Sequence, residues 1–577
     1  MKKYIIKLSY IWLLLGVMTS CMDLDPLDSM GDNITWSSSD NFQLFANQFY
    51  AYTRDFNQSG EHNAYNGFSD GPHSDFRSDL IATSSINTFS QGTNTIPTED
   101  DNYSVTYKRI YYTNLLLENA KSYSNESEIE IPVAEAKFFR AYLHFELVQL
   151  YGDVILLTKP LDIDSDELSG KRDDRGVVID QIITDLEDAA LALPVTVTEE
   201  GRLTQAAAYA FLSRVALYEG TWQKFHNSNT ARSTDLLTTA RDAAMNVMDG
   251  TYELFYDETL DIDSYRYMFI LEHTQCNPAG LTISDNKEYI LAHRHFDGDK
   301  LGTNITHAAL GNVIYPTSKF VNMYLCSNGL PVSVSDLFGG YSTATTEFQN
   351  RDNRMATSLI KHGTKYWNND GAWRTSWNDD DLENCLTMDV RSNGGYQNQK
   401  WATERQVADE YESYDYPVIR YAEILLNYAE AVYELNGAIT DEQLDASLNL
   451  VRLRVNPNMP KLSNSFVSTN SLDMREEIRR ERTIELYLEG FRIDDLKRWA
   501  VAGDEMPEDQ LGVMFTGTWF ETNWTKQARG INSDGRVILY DNRTWADKNY
   551  LYPLPSDELQ LNLIWDKIQD GNKLNSY

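Results

Sequence analysis

Five long stretches with apolar residues at helical spacing constrain this chain more than any other feature. They run 133–151, 176–193, 204–220, 421–435 and 472–499, and each is rich in helix formers. Pro194 stops the second, and Gly220 and Gly437 follow the third and fourth where C-terminal glycines belong. Alanine recurs at Ala206, Ala207, Ala208, Ala210, Ala216, Ala422, Ala429 and Ala431, beside Tyr209, Phe211 and Tyr428. Small residues let helices approach closely while neighbouring rings fill the gaps, so a mostly α fold is expected.

Ala216-Leu217-Tyr218-Glu219 and Ala431-Val432-Tyr433-Glu434 echo each other. The pattern resembles helical-hairpin repeats of tetratricopeptide type, degenerate in period. Helical spacing fades into Gly, Asn, Asp, Ser and Thr at 57–102 and again at 251–416. These read as long irregular insertions of the kind that carry function when ordered. The expected organisation is a helical scaffold at about 40–250 and 416–577 with a loop-rich insertion at about 251–415, all in one domain of residues 40–577.

Residues 1–20 read as an export signal, with Lys2, Lys3 and Lys7 ahead of an apolar run that is too short to span a membrane. Thr19 and Ser20 before Cys21 predict lipoprotein processing, with Cys21 as the lipidated residue, although Met18 stands where leucine is usual. An acidic, Pro-containing tether follows over 21–39. The net charge of −36 becomes more negative still once a signal with three lysines and no acids is removed. Such a surface repels nucleic acid and anionic lipid. Cys276, Cys326 and Cys385 lack metal-ligand spacing and allow at most one disulfide.

Five blocks in order then resemble the SusD/RagB family of outer-membrane lipoproteins of the Bacteroidetes. Residues 134–142, running on to Leu150-Tyr151-Gly152-Asp153-Val154, form the first; 181–187 with Leu193-Pro194, and Gly201-Arg202-Leu203-Thr204, follow. The central motif is 316–324 with Asn328-Gly329 and Arg351-Asp352-Asn353-Arg354, where Asn328 replaces a usual acid. The most specific block is 478–486, then Glu489-Gly490-Phe491-Arg492 and 494–499, with Tyr552-Pro553-Leu554-Pro555 near the end. Glu477, Glu481 and Glu485 are like charges at four-residue spacing, so their arginine partners are expected on other helices. The resemblance implies a ligand face of loops over the helices, with aromatics that stack on sugar rings. It also implies capture of oligosaccharide and delivery to a SusC-type TonB-dependent transporter, at the outer face of the outer membrane.

Ligand residues do not transfer by motif, so the candidates come from this chain. Residues 365–379 hold Trp367, Asn368, Trp373, Arg374 and Trp377, with Arg391, Tyr396 and Trp401 downstream. Flat rings among amides and charges match a sugar, which shows C–H bonds on its faces and hydroxyls at its rim. The alternative is that these rings anchor a loop to the scaffold. Asp70, Phe76, Arg77 and Asp79 form a second candidate segment, expected to face the first; its alternative is a solvated turn. His293, His295, Asp297 and Asp299 are possible metal ligands but read as surface groups, so no metal and no cofactor is expected; a structural Ca²⁺ is not indicated. No phosphate loop, HExxH or GxSxG occurs. The sequence therefore predicts a binding protein and not an enzyme. Peptide remains the alternative ligand, and a glycoside hydrolase, which needs only a carboxylate pair among 86 acids, is the least favoured reading.

Overall fold

The computed structural model describes residues 36–56, 71–83, 85–161, 165, 167, 170–296, 302, 303, 305, 314–361, 394–403, 411–523 and 529–561. After a short helix α1 (Ser39–Asn47), five long helices follow: α2 (Asp101–Ala120), α3 (Glu130–Tyr151), α4 (Arg175–Ala192), α5 (Gln205–Phe225) and α6 (Thr230–Val247). Each packs on the next in sequence, and α7 (Tyr421–Asn436) packs on α6. The helices start at side-chain caps: Asp100, Asp174, Thr204 and Asn229 accept from backbone N–H groups of α2, α4, α5 and α6. Gly437, at φ 68°, ends α7 in the left-handed conformation.

Helix α3 is buried on nearly every side. Phe138, Tyr142 and Phe145 close on Phe211 of α5 with ring centroids 5.1–5.7 Å apart. The alanines between them keep the two backbones close enough for this contact.

Two helices, α2 and α6, were not among the expected five. The buried face of α2 mixes apolar residues with Arg109, Thr113 and Asn114, which blurs the apolar spacing, whereas that of α6 is apolar except for Ser233. Gly220 is also corrected. It lies inside α5, not after it, and a Cβ there would meet the Leu237 side chain at 3.0 Å and its backbone nitrogen at 3.2 Å. The glycine serves the α5–α6 contact.

The expected helix over 472–499 is two: α8 (Met474–Glu485) and α9 (Arg492–Arg498). Between them Leu488 and Gly490 take φ of 57° and 76°. Side chains satisfy the backbone groups that the break releases. Lys400 Nζ donates to Tyr487 O at 2.6 Å, Trp401 Nε1 to Leu488 O at 3.2 Å, and Leu488 N to Asp75 Oδ2 at 2.7 Å.

The glutamates of α8 do find arginines from elsewhere. Glu481 lies 2.7 Å from Arg354 and 3.0 Å from Arg452, and Glu485 takes Arg354, Arg420 and Arg454, all buried. Strands are few and short. β1 (Ile81–Ala82) pairs with β3 (Tyr315–Pro316), β2 (Tyr289–His293) with β4 (Tyr416–Arg420), and β5 (Gln510–Met514) with β6 (Arg536–Tyr540), all antiparallel. Cys276 and Cys326 are buried thiols; Cys21 and Cys385 lie outside the described residues.

Candidate functional site

Trp367, Asn368, Trp373, Arg374, Trp377, Arg391 and Asp70 lie outside the described residues, as do Asp297 and Asp299. The structure does define where the 362–393 segment is rooted. Leu359 and Asn398 form an antiparallel bridge, and Ile360 N donates to Gln397 O at 2.9 Å. On the return side, Gly394 O accepts from Val513 N of β5 at 2.9 Å. Gly394 and Gly512 are in such close contact that a Cβ on Gly512 would sit 2.2 Å from Gly394 O. The return limb is thereby fixed against the β5–β6 hairpin, and the outgoing limb is bridged to the return limb.

Beside these roots lies a half-exposed aromatic and polar surface. The Arg536 guanidinium stands 4.7 Å over the Tyr341 ring, and its Nη1 donates to Gly512 O at 3.3 Å. Tyr341 OH donates to Asn322 Oδ1 at 3.3 Å, and Phe338 meets the Tyr341 ring at 5.1 Å. Trp519 N donates to Ser342 O at 3.0 Å, which brings the Trp519–Asn523 helix against the Tyr341 turn. Trp519 and Phe520 pack edge to face at 5.5 Å and are half-buried. Sequence reasoning missed this surface. Its only sign was the setting of the rings in turn-rich runs, Gly339-Gly340-Tyr341-Ser342 and Gly517-Thr518-Trp519-Phe520.

Tyr396 is placed differently from expectation. It is 3% exposed, and its hydroxyl donates to Glu347 at 2.7 and 2.9 Å. Burial raises the Glu347 pKa despite that bond and the nearby Arg351 and Arg536. This pair clamps the return limb of the loop and offers no face to a ligand. Trp401 is likewise buried, edge-on to Phe56 and Phe269 at 4.7 Å.

The second candidate segment is also corrected, because its described residues run through the interior. Phe76 is core, and Arg77 lies over the Phe89 ring at 3.7 Å. Asp79 receives both arms of Arg492 at 2.8 Å and Lys319 at 3.0 Å. Burial alone would raise its pKa, but Arg492 and Lys319 hold it far below the usual carboxylate range. The alternative of a solvated turn fails as well, since Arg492 and Lys319, the partners of Asp79, lie more than two hundred residues away in the chain.

One group of metal-competent side chains is found among the described residues: Asp55, His293 and His295. The sequence showed the two histidines but not the aspartate that the fold brings to them.

A profile of the SusD family matches residues 274–572, and a second, described as starch-binding and associating with the outer membrane, matches 27–217. The chain belongs to the SusD family. A SusD-like protein of Formosa agariphila is 31% identical over 128 residues, which are 21% of this chain and 24% of that protein's length. Solved SusD-like structures agree over most of the chain. A SusD-like carbohydrate binding protein from Bacteroides fragilis has TM-score 0.72 at 23% identity, covering 91% of this chain and 99% of its own. A laminarin binding SusD-like protein has TM-score 0.54 at 20% identity, covering 90% and 97%. Among the described residues no helix is long and apolar enough to cross a membrane.

Proposed function

We propose that this SusD-family protein captures oligosaccharide without chemistry, held by a lipid on Cys21 at the outer face of the outer membrane, and passes it to a SusC-type TonB-dependent transporter. Carbohydrate and laminarin binding by solved relatives, and the starch-binding description of one matching profile, support the ligand class. The observation that carries the reading is positional. The segment bearing Trp367, Trp373 and Trp377 is rooted beside the half-exposed Tyr341, Arg536 and Trp519. Rings that offer faces, with a guanidinium and amides between them, suit a ligand with apolar faces and a hydroxyl rim. Binding without turnover is favoured because, among the described residues, the carboxylate beside this surface with a raised pKa, Glu347, is buried against Tyr396.

The test is titration calorimetry of the mature protein with plant, host and microbial glycans, laminarin and starch included, beside a peptide library. Saturable binding of a glycan is expected. Trp519→Ala, Tyr341→Ala and the triple Trp367→Ala, Trp373→Ala, Trp377→Ala should each weaken it about tenfold or more. Binding of peptide and of no polysaccharide would overturn the ligand class. Unchanged affinity in all three variants would discard the site, and measurable cleavage of a bound glycan would discard the non-enzymatic reading. Pull-down of a TonB-dependent transporter with the anchored protein from its own outer membrane tests the partner.

A further inference from the structure

Asp55 follows the turn Gln48–Tyr52, while His293 ends β2 and His295 continues it. The fold sets one carboxylate between two imidazoles. Asp55 Oδ1 lies 3.0 Å from His295 Nε2, and Oδ2 lies 3.7 Å from His293 Nε2. One ligand atom from each of the three residues falls within 4.8 Å of the others. Around a tetrahedral ion with bonds of about 2.0–2.1 Å, neighbouring donor atoms stand about 3.3 Å apart, between the two observed separations.

The hydrogen bonding turns a ring nitrogen of each histidine toward one carboxylate. The Thr53 hydroxyl is 3.1 Å from the carbonyl of Tyr50 and 2.8 Å from His293 Nδ1. It has a single proton; with that proton directed to the carbonyl, His293 Nδ1–H donates to Thr53 Oγ1. Neutral His293 then turns the lone pair of Nε2 toward a carboxylate oxygen, acceptor against acceptor. His295, with 4% of its side chain exposed, aims Nε2 at the same carboxylate at 3.0 Å. Arg294 does not block the space, since it turns to Asp415 at 2.8 Å and Glu200 at 3.4 Å.

We propose that Asp55, His293 and His295 bind one divalent transition-metal ion of the zinc class, with Thr53 orienting His293 from behind and no fourth protein ligand among the described residues. Two imidazoles with one carboxylate favour such an ion over Ca²⁺ or Mg²⁺, which prefer oxygen ligands. A ligating histidine commonly donates its other ring N–H to an oxygen acceptor that fixes its tautomer, and the Thr53 hydroxyl stands in that place. The His293 side chain is 23% exposed, which gives an ion a way in. The bound ion ties the segment after Tyr52 to the end of β2. The proposal is independent of which glycan the protein takes.

The experiment uses the full mature chain, stripped with chelator and kept in excess Ca²⁺ to fill weak acidic sites. Zn²⁺ is added by calorimetric titration, and Co²⁺ is followed by visible absorption. The expected result is one equivalent of Zn²⁺, a Co²⁺ spectrum of a tetrahedral nitrogen/oxygen site, and a Tm that rises with Zn²⁺. His293→Gln and His295→Gln should each lower Zn²⁺ affinity a hundredfold or more, and Thr53→Val about tenfold. Circular dichroism checks each variant's fold; if His295→Gln fails to fold, the more exposed His293→Gln still decides. No stoichiometric uptake by the unaltered chain, or uptake unchanged in His293→Gln, would overturn the site. So would NMR showing His293 as an imidazolium in the presence of saturating Zn²⁺, because a proton would then be the bridge.

Discussion

Glu485 meets three guanidinium groups, from Arg354, Arg420 and Arg454, with none of its side chain in water. Burial alone would raise its pKa above the ordinary 4.5, but the arginines outweigh it and hold it at about 2. Asp75 shows the reverse balance. It too is buried, but its hydrogen bonds come from the backbone N–H groups of Leu488 and Arg492, and burial pushes it up to about 7 from 3.8. A group depressed by folding adds stability above its unfolded pKa, so the Glu485 contribution is lost as pH falls from 4.5 toward 2. A group raised by folding does the opposite, and the Asp75 contribution is lost as pH rises from 3.8 through about 7. Urea unfolding at stepped pH checks both. Glu485→Gln should flatten the acid limb and cost about 3–5 kcal/mol at neutral pH, since it leaves buried arginines short of charge. Asp75→Asn should remove the decline between pH 4 and 7 that the carboxylate causes.

At the level of elements, the sequence revealed α3, α4, α5 and α7 because their apolar residues follow the helical period and their ends carry caps or stops. It concealed what depends on distant neighbours. Gly220 has the look of a helix terminator, and only the approach of Leu237 from α6 shows it to be a packing residue. The break between α8 and α9 has no proline and is held open by Asp75, Lys400 and Trp401, whose positions a local pattern cannot contain. The candidate site divides in the same way. Its aromatic-rich segment could be read as one, but the partner surface of Tyr341, Arg536 and Trp519 required the fold to bring three separate stretches together. Gly220→Ala offers a clean test of the packing role. Helix propensity alone favours alanine by about 1 kcal/mol, whereas overpacking costs about 1–3 kcal/mol. Because one of the crowded atoms is the Leu237 backbone nitrogen, which cannot swing aside, a net loss of about 1 kcal/mol is expected, and Gly220→Val should lose more. Thermal or urea denaturation reads the sign; a stabilised Gly220→Ala would return the residue to a merely tolerated glycine.

Chains of 577 residues commonly divide into independent domains, and two family profiles match this one separately, at 27–217 and 274–572. The packing argues against independence. One apolar cluster runs from Phe42 to Tyr552 without interruption. Buried polar contacts also cross between the two matched regions. His73 stands between Glu146 and Asp494, at 2.9 and 2.6 Å, and Asp79 grips Arg492. Arg214 of α5 meets Glu423 of α7 at 2.7 Å, and just beyond the first matched region Lys224 meets Glu434 at 2.6 Å. Separating the halves would break each of these pairs and bare the apolar surface that the halves share. A fragment such as 36–250 would therefore lack both its apolar partner surface and the charges that neutralise its own. Scanning calorimetry of the mature chain should show a single transition whose calorimetric and van't Hoff enthalpies agree. The 36–250 fragment should show little amide protection in hydrogen exchange. Two resolved transitions, or a fragment with protected helices α3 to α6, would mean that the charged lattice joins two folding units instead of making one.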